Sequence, residues 1–233
     1  MKQQIEGKES PSIDGDARAR AREIQAEYAA RGDTLGWFEA FYKESEGNPD
    51  RISWADFEPN KYFREWAETT ALKGYGRKAL VVGCGLGDDA NYLHDLGFKV
   101  SAFDISPTAV EWAKKLYGES DIAFEVMDLF QPFRGWLGAF DFVLEIYTIQ
   151  PLPLEMRPQV VDAIAAFVAD KGKLVVVTRG REDNVEPDTL PWPMSRRDLS
   201  RFEQNGLTQT GFVEMPPDDE DEPNRFVVEY TRV

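Results

Sequence analysis

Between Lys78 and Asp88 the chain reads Lys-Ala-Leu-Val-Val-Gly-Cys-Gly-Leu-Gly-Asp. An uninterrupted apolar run of this kind suits a strand buried on both faces, and three alternate glycines then turn the backbone into a helical stretch from Asp88 to Leu96. Glycine at such a turn lets the backbone approach a ligand. A second apolar run, Lys99 to Phe103, closes on Asp104, 21 residues after Gly83. A carboxylate at that distance from a glycine turn is where ribose hydroxyls are held, so the pair reads as a nucleoside-cofactor site.

Around this turn, β and α patterns alternate. Ser106-Pro107 supplies a capping hydroxyl and an N1 proline for a helix carrying Val110, Trp112, Ala113 and Leu116. Ile122 to Val126, Phe140 to Ile146 and Lys173 to Thr178 read as further strands, with a helix from Pro158 to Ala169 as one crossover. Ser195-Arg196-Arg197-Asp198 has the pattern of a capping box, and Gly206 stops the helix it opens. Leu207 to Met215 and Arg225 to Arg232 then read as two strands of a hairpin joined by an acidic, proline-flanked connection over 216–223, with a docking site for a basic partner as the alternative. The expected fold is a Rossmann-like α/β domain: a seven-stranded, mostly parallel sheet with a C-terminal antiparallel hairpin and helices on both faces.

Residues 1–15 read as a mobile polar tail and 16–233 as a single domain, in which 16–70 forms an N-terminal helical layer or lid. A helix is expected over Asp16–Arg31, a second one capped by Thr34, and a third over Pro59–Thr70. Trp37, Phe38, Phe41 and Tyr42, then Tyr62, Phe63 and Trp66, either pack a core or cover a substrate. A net charge of −15, from 27 basic against 42 acidic residues, argues against nucleic acid as the partner. The single cysteine, Cys84, excludes an internal disulfide and cysteine-based zinc sites, and it suits a reducing compartment. With no signal-like N-terminus and no membrane-length apolar run, the expectation is a soluble, cytoplasmic protein.

The cofactor follows from the third place of the glycine pattern. A dinucleotide fingerprint wants glycine there, and this chain has Asp88, whose charge opposes a pyrophosphate at the helix N-terminus. A cationic sulfonium with an amino-acid tail tolerates that carboxylate, which favours S-adenosylmethionine (SAM) over NAD, with a dinucleotide oxidoreductase as the weaker reading.

From about Lys78 to Arg179 the chain resembles the class I SAM-dependent methyltransferases. Val81-Val82-Gly83-Cys84-Gly85-Leu86-Gly87 is similar to their first motif, Phe103-Asp104 to their ribose-binding acid, Met127-Asp128-Leu129-Phe130 to their adenine loop, and Phe140 to Glu145 to their fourth strand. The resemblance implies that Gly83, Gly85 and Gly87 line the methionine portion, Asp104 holds the ribose and Asp128 the adenine amino group. It also implies that Glu145 borders the transferred methyl. Cys84, Asp88, Ile105, Leu129 and Phe130 complete the implied cofactor-binding set, with S-adenosylhomocysteine (SAH) as the product. One departure is Val81, where many members have an acid. Gly83-Cys84-Gly85 with Tyr147-Thr148-Ile149-Gln150-Pro151-Leu152-Pro153 and Arg157 resembles the thiopurine, thiol and halide methyltransferase group, which implies a small-molecule acceptor.

On the substrate side the candidates are Trp37, Tyr147, Arg157 and Trp192. Tyr147 and Glu145 are also the candidate catalytic residues. Each has a structural alternative: Tyr147 as a core tyrosine, Trp192 as a loop anchor, Arg157 as a salt-bridge partner and Asp128 as a loop cap. Cys84 reads as a small filler, and His94, with no second histidine at ligand spacing, offers neither metal site nor base. Without a strong general base, in-line transfer to a thiolate, halide or other soft nucleophile is the expected reaction. A noncatalytic SAM-binding or protein-interaction module is the alternative.

Overall fold

The apolar runs pair into one seven-stranded sheet. In the computed structural model, which describes residues 13–187, 190–217 and 222–233, its strands are β1 (Lys78–Val82), β2 (Lys99–Asp104), β3 (Ala123–Val126), β4 (Phe140–Ile146), β5 (Val168–Arg179), β6 (Leu207–Met215) and β7 (Arg225–Arg232). Their order is β3-β2-β1-β4-β5-β7-β6. Strands β1 to β5 are parallel, while β7 runs antiparallel between β5 and β6. Six strands therefore point one way. The strand order reverses at β1, flanked by β2 and β4, and open sheets bind ligands beyond the carboxyl ends of the strands at such a switch point.

The helices are α1 (Ile13–Ala29), α2 (Gly36–Glu44), α3 (Lys61–Thr69), α4 (Asp88–Asp95), α5 (Pro107–Leu116), α6 (Arg157–Ala165), α7 (Arg196–Leu199) and α8 (Arg201–Gln204). The Ser106 hydroxyl caps α5 by accepting the Ala109 N–H, and Ser195 with Asp198 closes the capping box of α7. The chain divides into two units after Ala55. In the first, Arg20 of α1 grips the Glu44 carboxylate of α2 through Nε and Nη2 at 2.6 and 2.8 Å, and Trp54 donates to Tyr42 Oη at 2.7 Å beside Phe41. Helix α3, which the sequence pattern groups with the N-terminal helices, falls in the second unit. There Phe63 and Trp66 pack on Phe142 of β4 with ring centroids 6.4 and 6.3 Å apart.

Four local expectations are corrected. Helix α1 begins at Ile13, inside the stretch expected to be a tail, and residues 1–12 lie outside the described residues. Asp33, not Thr34, serves the start of α2: its Oδ1 accepts from the Leu35 and Gly36 amides at 3.3 and 2.8 Å. Strand β5 starts at Val168, before the expected Lys173, because Val168 pairs with Phe140 ahead of a register irregularity. The turn of α7 and α8 is broken at Ser200 into two short helices. Of the acidic connection, 218–221 lies outside the described residues. No helix among the described residues is long and apolar enough to cross a membrane.

Candidate active site

All three glycines after β1 adopt positive φ, 61° at Gly83, 51° at Gly85 and 94° at Gly87, where a side chain is strained. Neighbouring side chains add a second constraint. A Cβ on Gly83 would lie 2.5 Å from Thr148 Oγ1, and one on Gly87 2.9 Å from the Phe124 ring. The loop is thus shaped by conformation and by protein packing together.

Asp104, at the end of β2 and 7% exposed, fastens this loop: its Oδ2 accepts the Gly85 N–H and its Oδ1 the Ser106 N–H, each at 2.9 Å. Ile105 follows, half-buried. The Cys84 amide donates to the Phe103 carbonyl at 2.8 Å, and burial pushes the thiol well above its ordinary value, so it is no nucleophile. The Met127 amide donates to the Asp104 carbonyl at 3.0 Å, which brings the loop after β3 to the same edge. There Asp128 accepts from the Phe130 amide at 2.9 Å and the Gln131 amide group at 3.0 Å, a local cap, with Leu129 buried and Phe130 half-buried. Asp88 turns away toward α5 and accepts the Tyr117 hydroxyl in a short hydrogen bond, and desolvation raises its pKa.

Glu145 pairs in register with Val82 of β1 and Val176 of β5. It is 1% exposed, with Oε1 accepting the Thr148 and Ile149 amides at 2.7 and 3.1 Å. Its Oε2 is buried without a hydrogen-bond partner. Burial outweighs the two amides and pushes the carboxyl up to about 7. Val81, the departure from the resemblance, is buried in the core; besides Asp104, the glycine loop has Glu145 beside it on the adjacent strand. Tyr147 comes next, half-buried, its Oη accepting from Arg225 Nε at 3.1 Å.

Arg157 is 8% exposed, bonded to Asp198 at 2.8 Å and to the Trp192 carbonyl at 3.2 Å, and Arg181 meets the same Asp198 oxygen at 2.8 Å. The Trp192 amide donates to the Gln150 carbonyl at 3.0 Å, and Gln150 Nε2 returns a bond to the Trp192 carbonyl at 3.0 Å. Both residues therefore tie the segment after β5 to the one after β4. Trp37 lies in the first unit, stacked on Phe38 at 4.0 Å.

Three residues at this edge escape a sequence reading. Arg225 opens β7 opposite Arg179, and only the antiparallel register brings it to Tyr147. Asn60 caps α3, and its backbone N–H donates to Asp89 at 2.7 Å; burial pushes the Asp89 carboxyl up to about 7. An asparagine ahead of an apolar-periodic run is a recognisable cap signal, whereas the partnership with Asp89 has none.

The order of strands, the glycine loop and the acid at the end of β2 define a Rossmann-like α/β domain. Residues 80–176 match the family described as a methyltransferase domain. Over 152 residues, 64% of this chain and 65% of the relative, the chain is 25% identical to 2-heptyl-1-hydroxyquinolin-4(1H)-one methyltransferase of Mycobacteroides abscessus; it thus spans 65% of that relative's length. The N-methyltransferase NodS from Bradyrhizobium japonicum WM9, solved with SAH, shares the fold with a TM-score of 0.64 at 16% identity over 83% of this chain and 97% of that one. A protein solved in connection with conversion of a disulfide bond into a thioacetal group during echinomycin biosynthesis gives 0.67 at 18% identity over 85% and 91%. The family match thus covers the central strands of the sheet, and the solved neighbours share its fold.

Proposed function

We propose that the chain transfers a methyl group from SAM to a small molecule that reacts as an anion or another soft nucleophile, a thiol or a readily ionised hydroxyl. The observation that carries this reading is the unpartnered Glu145 Oε2, buried at the switch point beside the glycine loop. A buried carboxylate oxygen without a donor is expensive to keep unless a cationic ligand supplies one. The residues therefore fit SAM: Glu145 meets its cationic methionine end, Gly83, Cys84, Gly85 and Gly87 border that portion with Asp88 behind them, Asp104 and Ile105 the ribose, and Asp128, Leu129 and Phe130 the adenine. When bound, SAM supplies an electrophilic methyl group on a sulfonium.

This chain's residues then have to orient the acceptor and exclude water. Burial raises the pKa of Tyr147 despite the nearby Arg225, so the phenol is protonated at neutral pH. Glu145, once against a cation, returns to a weakly basic carboxylate. Neither is a strong base for a neutral alcohol, which favours an acceptor that arrives ionised. Two likenesses point the same way. The sequence resembles the thiopurine, thiol and halide methyltransferase group, and the Mycobacteroides relative is named for an N-hydroxylated heteroaromatic acceptor, a hydroxyl more acidic than an alcohol's.

The test is SAH release by purified protein over aromatic thiols, halides, N-hydroxy heteroaromatics, phenols and alcohols. Turnover confined to acceptors that ionise near neutrality supports the reading, and equal turnover of alcohols overturns the acceptor class. SAM binding with no turnover on any acceptor would favour the second reading, a noncatalytic SAM-binding module, which the missing acid at Val81 motivates.

A further inference from the structure

Tyr147 is the first residue beyond β4, and its backbone stands in the left-handed region at φ 56°. Residues other than glycine are rarely held there, and such positions gather at ligand-binding edges. Its amide still donates to the Val177 carbonyl at 3.2 Å, so the conformation is fixed by the sheet. Two groups converge on its oxygen. Arg225, 8% exposed, donates Nε–H to Oη at 3.1 Å. The Asn60 side chain lies near the same oxygen, and the orientation of its amide group is settled independently. Asn60 Oδ1 accepts the Tyr62 and Phe63 amides at 3.1 and 3.2 Å as the cap of α3, which leaves Nδ2 for Tyr147.

Nδ2 and a guanidinium only donate, and a phenolic oxygen has one proton and two lone pairs. Neither neighbour can accept a hydrogen bond from the phenol, so the proton of Tyr147 has to point at a third group. Arg225 is not free to swing aside. Its Nη1 donates to the Pro223 carbonyl, its Nη2 to Glu222 Oε2 at 3.1 Å, and its guanidinium lies 5.6 Å from the Tyr62 ring centroid. Glu222 in turn pairs with Arg179 at 3.2 Å, so the charge facing Tyr147 itself is the guanidinium of Arg225.

The geometry points to Tyr147 as the hydrogen-bond donor that seats the anionic atom of the methyl acceptor, a thiolate or oxyanion, with Arg225 and Asn60 as positioning residues that aim its proton. This rests on the methyl-transfer reading and sharpens it: Tyr147 gives a hydrogen bond to an ionised acceptor and does not remove its proton. A hydroxyl polarised by a cationic donor is a stronger donor than an isolated phenol. An acceptor is therefore bound preferentially as its anion.

The probe is 4-nitrophenol, whose phenolate absorbs visible light, titrated in complex with protein and SAH after SAH binding has been established by calorimetry. The bound phenol is expected to titrate about one pH unit lower than the free one, since a charge-backed hydrogen bond favours the anion roughly tenfold. In Tyr147→Phe the lowering disappears while SAH affinity and the melting temperature hold. Asn60→Ser keeps the cap oxygen but loses the amide, and Arg225→Gln removes the charge; each is expected to shrink the lowering. The same titration in wild type and Tyr147→Phe overturns the proposal, as does failure of nitrophenol to bind the SAH complex. Both outcomes leave the methyl-transfer reading standing, whereas failure of SAH to bind removes both.

Discussion

Glu145→Gln is expected to relieve a pH-dependent instability of the ligand-free protein and, in the same stroke, to weaken its hold on SAM. A carboxyl that titrates at 4.5 in the unfolded chain is pushed up to about 7 by burial in the folded one. The folded state therefore binds this proton more tightly than the unfolded state. The associated stability is present in full below 4.5 and is lost as pH rises through 7. At about 1.4 kcal/mol per pH unit, the loss is about 3 kcal/mol between about pH 4 and about pH 8. Glutamine retains an oxygen for the Thr148 and Ile149 amides and carries no charge, so the gap between variant and wild type should widen by about that amount across the same range, measured by urea unfolding. Asp89, also raised by burial, is present in both proteins and cancels. On binding, a cation at Oε2 pulls the carboxyl down, so wild type should release about half a proton at pH 7, read by calorimetry in buffers of different ionisation enthalpy. The variant should release none from this position and bind SAM about 10- to 150-fold more weakly, the worth of a charged hydrogen bond. A stability gap that stays flat with pH, or undiminished SAM affinity in the variant, would refute the assignment.

Three further outcomes follow from the geometry. Asp104→Ala orphans the Gly85 and Ser106 amides as well as the ribose, so SAM affinity should fall by about 1–3 kcal/mol in calorimetry. Gly83→Ala forces a side chain onto positive φ and to within 2.5 Å of Thr148 Oγ1, and it should lower stability by about 1–3 kcal/mol in chemical unfolding. Arg157→Met breaks a largely buried ion pair with Asp198 and should destabilise the fold by about 2–4 kcal/mol while leaving the acceptor KM unchanged, because the guanidinium is occupied by Asp198 and the Trp192 carbonyl; a raised KM at normal stability would restore it as a substrate residue.

The glycine loop, β2 and Asp104 are legible in the sequence because each is encoded by a short local pattern, and a parallel sheet brings the ends of neighbouring strands together. The capping box at Ser195 and the cap at Ser106 are legible for the same reason. What the chain does not disclose locally is partnership. Arg225 reaches Tyr147 across 78 positions through the register of β5 with β7. Asp88 and Asp89 are adjacent in sequence, yet one turns to Tyr117 and the other to Asn60, because a helix start sends successive side chains in different directions. The extension of β5 back to Val168 is hidden by the polar Asp170 and Lys171, which break the apolar run without breaking the strand.

Transfer of the SAM methyl group to an acceptor that arrives ionised is best checked by following labelled methyl from SAM into one thiol and one N-hydroxy heteroaromatic as a function of pH, with an aliphatic alcohol of similar size alongside. Methylation of either ionisable acceptor, rising with pH until the acceptor is fully ionised and absent for the alcohol, is the predicted result. Transfer to the alcohol at comparable rate, or label that binds and never moves, would contradict it.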